Sequence, residues 1–79
     1  MKYVVICYAE HDHRIEMHET FDNKNDARTF LQKDMSEVYD NESQISDDIC
    51  VNPLPDGTYV HMSSCNGKYR WTWELIEVE

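Results

Sequence analysis

Glycine is nearly absent from this chain. The two that occur, Gly57 and Gly67, each follow a turn-forming residue, Asp56 or Asn66, and are used to reverse the chain. None precedes the helical segment identified below. A P-loop or dinucleotide cradle needs glycines to bring backbone amides against phosphate, so neither is expected here. Cations are scarce too: seven Lys and Arg stand against sixteen Asp and Glu, a net charge of −9. Binding a nucleic-acid backbone requires a basic patch, so direct DNA or RNA binding is not expected, and the same field repels anionic membrane surfaces. Cysteine is limited to Cys7, Cys50 and Cys65. An odd count is a poor disulfide framework, and no pair has metal-knuckle spacing. The expectation is free thiols in a reducing cytoplasm. Long apolar runs are missing as well. The opening Met1-Lys2-Tyr3-Val4-Val5-Ile6-Cys7-Tyr8 leads quickly into charge, so neither a signal peptide nor a membrane span is expected.

Aromatic residues, in contrast, are well represented. Two Trp, five Tyr and two Phe, within a hydrophobic fraction of 41%, supply the apolar area that disordered acidic chains lack. The length leaves room for one domain, residues 1–79, of limited burial and marginal stability.

Residues 3–9 are nearly all apolar and rich in β-branched and aromatic types, which predicts a central strand covered on both sides. Glu10 to His13 is a polar turn. Residues 14–21 alternate, with Ile15, Met17 and Phe21 on one face and Arg14, Glu16, His18 and Thr20 on the other, so the two segments predict a hairpin. Asn23 is a good N-cap with Asp26 three residues on. Ala27, Phe30, Leu31, Met35 and Val38 then recur at helical spacing, predicting a helix over roughly 24–41. A short strand at Ile49 to Val51 follows, then the rigid turn Asn52-Pro53-Leu54-Pro55-Asp56-Gly57. Thr58 to Ser63 forms a strand with Val60 and Met62 on one face. After the Asn66-Gly67 hairpin signal, Lys68 to Val78 forms a long strand with Tyr69, Trp71, Trp73 and Leu75 on one face. The expected fold is α+β: a single antiparallel sheet in the order β-β-α-β-β-β, with one helix packed on one face. Its core should include Val5, Phe30, Leu31, Val38, Val60 and Trp71 or Trp73.

Residues able to carry chemistry are present but not arranged for it. His11, His13 and His18 are close in sequence, yet they read as a polar turn and one solvent-facing strand residue, so no metal site is expected. Cys7 lies in the most apolar strand and reads as a small hydrophobe. A nucleophilic thiol needs positive surroundings that this chain lacks. Carboxylates are too numerous for any pair to stand out, and one sheet with one helix leaves little volume for a catalytic cleft. The Tyr69, Trp71 and Trp73 face reads as the wall of a small core. No catalytic residue and no cofactor are expected.

The most suggestive feature is an unrelieved acidic stretch. From Asp34 to Gly67 there are seven acids and no Lys or Arg. Several of these acids crowd the C-terminal end of the helix, where the dipole favours cations. Local rules broken without local gain are where function is expected. In size, charge and the acid run from Asp34 to Asp48, the chain resembles the small acidic proteins carried by phages and mobile elements, including anti-CRISPR inhibitors. That resemblance implies a protein that presents carboxylates where phosphates would sit in the basic groove of a nuclease. It carries over no individual site residue.

The expected function is therefore a non-enzymatic acidic binding protein that blocks a basic surface of another protein. The partner-binding residues would be Asp34, Glu37, Asp40, Glu42, Asp47 and Asp48. The alternative is a structural or regulatory module that self-associates, as a homodimer, through a sheet edge.

Overall fold

The computed structural model describes residues 1–78. Strand β1 (Lys2–Ala9) leads through a single 3-10 turn (Glu10–Asp12) into β2 (Arg14–Phe21). Helix α1 (Lys24–Ser43) follows, then β3 (Ile49–Pro53), β4 (Tyr59–Ser64) and β5 (Tyr69–Val78). All pairings are antiparallel, in the spatial order β2-β1-β5-β4-β3. The expected α+β architecture is the observed one.

Because β2 and β3 form opposite edges of the sheet, the helix that connects them must cross the whole face. A helix of 20 residues is about 30 Å long, enough to pass over five strands spaced about 4.8 Å apart. It starts where expected. The Asn23 side chain accepts hydrogen bonds from the backbone N–H of Asn25 at 2.7 Å and Asp26 at 3.3 Å, satisfying amides that have no partner within the helix.

The core lies between the helix and the sheet. It is built from Val5, Cys7 and Ala9 of β1, Val60 and Met62 of β4, Trp71, Trp73 and Leu75 of β5, and Ala27 and Leu31 of α1. Phe30 and Val38, expected in the core, are only half-buried and pack against its margin. Ala27 and Leu31 are the helix residues that meet the sheet squarely. Phe30 turns to the β2 edge, its ring 5.2 Å from that of Phe21.

Two further expectations are corrected. Strand β1 is central, flanked by β2 and β5, but it is covered on one face only. Val5, Cys7 and Ala9 are sealed, whereas Val4 and Ile6 are half-buried and Tyr8 is exposed. One helix can cover only one face, so the rest of the apolar run faces outward. Ile15 also does not share the face of Met17. The register shifts between Cys7 and Tyr8: Cys7 pairs with Met17, whereas Tyr8 pairs with Ile15. Glu16 is thus the extra residue of a β-bulge, and Ile15, 55% exposed, lies with Tyr8 on the open face.

The last hairpin turns through three successive left-handed residues, Cys65, Asn66 and Gly67. Only Gly67 adopts that conformation without a Cβ penalty.

Candidate functional site

The helix and the loop after it place the six acids of the predicted site in two different roles. Asp34 is half-buried and turned inward, where its Oδ2 accepts a hydrogen bond from Trp73 Nε1 at 2.7 Å. Glu42, two turns on, is also half-buried and accepts from the hydroxyl of fully buried Ser64 at 2.7 Å. Asp48 accepts from the Asn66 backbone N–H at 2.8 Å and so holds the β4–β5 turn. These three carboxylates clamp the helix and its loop to the sheet.

Glu37, Asp40 and Asp47 behave differently. All three are exposed. Among the described residues their carboxylates have neither an ion pair nor a hydrogen bond. Asp34 and Glu37, one turn apart on the helix, are therefore divided in role, with Asp34 serving the core and Glu37 facing water. The last turn of the helix contains no basic residue. The Lys and Arg ion pairs among the described residues lie elsewhere, Lys2 with Asp22 and Arg14 with Asp12. The helical cations Lys24, Arg28 and Lys33 all precede Asp34. Asp40 and Asp47 are thus exposed with no cation within one helical turn, whereas Glu37 follows Lys33 by one turn and lines the same shallow depression.

A second cluster forms at the β1–β2 turn. His11 is largely enclosed, its side chain 15% exposed. Its ring meets Tyr69 and Trp71 edge-on, at 5.2 and 5.0 Å between centroids. Nδ1 lies 3.1 Å from both the backbone N and the carbonyl oxygen of Arg70, which ties the turn to the start of β5. On the other side of the ring, Nε2 is 3.7 Å from Asp12 Oδ2. The bulge at Glu16 brings a second carboxylate to the same place, so that one donor atom each from His11, Asp12 and Glu16 lies within 4.8 Å of the others.

His13, in a left-handed turn conformation, and His18, opposite Ile6 on the open face, stay outside this group. The three histidines close in sequence are therefore not the three groups that assemble. Glu16 could not be identified from sequence, because strict alternation would have placed it on the solvent face of a regular strand. A neighbouring contact joins Glu10 to β4 and β5. Its Oε1 accepts from Thr72 Oγ1 at 3.3 Å and lies 3.7 Å from His61 Nε2. His61 alternates with Val60 and Met62 and sits opposite Thr72. A shallow cleft of about 400 Å3 opens beside the turn, between Tyr8, Glu10, His11, His13, Lys68 and Arg70.

The thiols are all free. Burial, reinforced by the negative charges of Asp34 and Glu16, pushes Cys7 up to about 12. At neutral pH it is a protonated core side chain, not a nucleophile. Among the described residues, no helix is long and apolar enough to cross a membrane. Comparison of the chain with models of known protein families, with curated proteins and with solved structures gave no match.

Proposed function

We propose that this chain is a non-enzymatic acidic binding protein that occupies a basic surface of another protein. The nucleic-acid groove of a nuclease or a related protein is the kind of surface its charge suits. The observation that carries this reading is the trio Glu37, Asp40 and Asp47, exposed and without an ion pair among the described residues, in the second half of α1 and in the following loop. Asp40 sits in the last turn of the helix, where the dipole disfavours it by about 0.3–1 kcal/mol. Asp34, Glu42 and Asp48 support the site indirectly by fixing the helix and loop against the sheet. The helix and loop that carry the trio are already held to the sheet, so the backbone need not be ordered on binding, and the negative field speeds encounter with a Lys- and Arg-lined groove at low salt.

The test is capture of partners from a host lysate by the immobilised chain, in parallel with the variant Glu37→Lys, Asp40→Lys, Asp47→Lys. A partner retained by the parent chain, released by moderate salt and not captured by the folded variant is the expected result. Undiminished capture by the variant, with the same salt dependence, would show that the acidic end is only a solvated surface.

A second reading has its own support. β2 is an eight-residue edge strand, and the open face beside it carries Ile15 and Tyr8. Strand-to-strand pairing of two copies along β2 would satisfy its free backbone groups and bring Ile15 beside the partner strand. Such a dimer should persist at high salt, because backbone hydrogen bonds and apolar contacts are not screened as surface charges are. Sedimentation in low and high salt separates the two readings.

A further inference from the structure

We propose that His11, Asp12 and Glu16 form a binding site for one Zn2+ ion at the β1–β2 turn. This site does not depend on the acidic end of the helix. The donor set, one imidazole and two carboxylates, is of the kind zinc takes. It offers too few oxygens for calcium, which needs six to eight.

One ligand is already oriented. His11 is wedged against Tyr69 and Trp71. Two tautomers suit the Arg70 backbone: Nδ1 accepts from the Arg70 N–H at 3.1 Å with the proton on Nε2, or Nδ1 carries the proton and donates to the Arg70 carbonyl at 3.1 Å, which leaves Nε2 unprotonated on the side of Asp12; zinc would select the second. A metal-binding histidine characteristically has this arrangement, with one ring nitrogen held by a carbonyl and the other free to coordinate. The other two ligands can adjust. Asp12 and Glu16 are exposed, and their donor atoms need to close from within 4.8 Å to about 3.4 Å, the spacing around a tetrahedral ion with bonds near 2.0–2.2 Å.

Glu16 is available only because the bulge between Cys7 and Tyr8 displaces it from regular alternation. A dication there would relieve repulsion between two carboxylates in a chain of net charge −9. Arg14, 3.9 Å from Asp12 with both partners largely in water, is a weak competitor. Water completes the coordination.

Titration calorimetry of the purified chain with Zn2+ tests the proposal. It should be repeated in a Cys50→Ser, Cys65→Ser background so that exposed thiols cannot supply the binding. Saturable uptake of one ion per chain is expected in both. Glu16→Gln, an exposed change that leaves the core alone, should weaken it roughly tenfold or more. His11→Gln should abolish it, with the fold checked by circular dichroism, and Glu37→Gln with Asp40→Asn should leave it unchanged. Three results would overturn the site: no saturable binding up to about 1 mM Zn2+, binding undiminished in Glu16→Gln, or binding lost equally in the helix variant.

Discussion

Asp34 and Glu42 belong to the acidic run, yet each directs its charge inward to a partner on the sheet. Removing Asp34 should therefore harm the fold before it harms any interaction. Asp34→Ala leaves the Trp73 N–H beneath the helix without its acceptor, a loss of about 1–3 kcal/mol. Asp34→Asn keeps an acceptor oxygen and should recover much of it. Urea unfolding of the two variants checks this, and equal losses would mean that the Trp73 bond contributes little. Leu31, fully buried against the sheet, is the helix residue on which packing depends most. Leu31→Ala should lower stability by about 2–5 kcal/mol; a loss below about 1 kcal/mol in the same assay would mean that the helix does not rest on this side chain. The thiols offer a chemical check of the core. Iodoacetamide on the native protein should label Cys50 and Cys65 and spare Cys7, whose thiol is buried and protonated. Labelling of Cys7 at the rate of the other two, read by peptide mass spectrometry, would contradict the placement of β1.

At the scale of the elements, α1 is charged against its own dipole. Its Lys24, Arg28 and Lys33 fall in the first half, and Asp34, Glu37, Asp40 and Glu42 in the second. Reversing Asp40 to Lys, alone or with Glu37, should raise the melting temperature, because it removes repulsion among the acids and places a cation in the last turn, where the dipole favours it. A variant that is more stable yet binds worse would be strong support for a functional acidic end. A less stable one would mean that these side chains make contacts beyond their charge. The β2 strand is also read best at this scale. Its bulge increases local twist, turns Ile15 to the open face and brings Glu16 to His11. One local irregularity thus shapes both the edge and the candidate zinc site.

At the scale of the whole molecule, the net charge sets the response to solvent. A chain of −9 is under mutual repulsion when compact, and salt shortens the range of that repulsion to about 10 Å at 0.1 M and about 3 Å at 1 M. The melting temperature should therefore rise with sodium chloride, and less so in the charge-reversed variant; a melting temperature insensitive to salt would show that the acids are spaced widely enough not to interact. Acid should destabilise the fold by a separate route. Asp56, whose carboxylate accepts from both the Thr58 hydroxyl and the Thr58 backbone N–H, is held below its ordinary pKa of 3.8 by those bonds. Asp22 is lowered by Lys2. Groups depressed in the folded state contribute stability above their unfolded pKa and lose it as pH falls through the folded one. This loss therefore belongs below about pH 4.

Element type and order were legible in the sequence because they depend on neighbours a few residues away. Apolar spacing in Ala27, Phe30 and Leu31, the Asn23 cap, and the Asn66-Gly67 turn act within one or two turns of chain. The burial of Val60 and Trp73 followed from the same patterns. The placement of functional groups was decided by contacts between residues far apart in sequence. That β1 pairs with β5, and that β2 and β3 end at opposite edges, depends on which strands find each other, and this in turn sends the helix across a single face and leaves the other open. Asp34 meets Trp73, Glu42 meets Ser64, and His11 meets Arg70 only after the sheet has assembled. Sequence spacing could place six acids and three histidines along the chain. It could not say which acids turn inward or which groups share a corner, because those outcomes are set by strand register, and a shift of one residue moves a side chain to the other face.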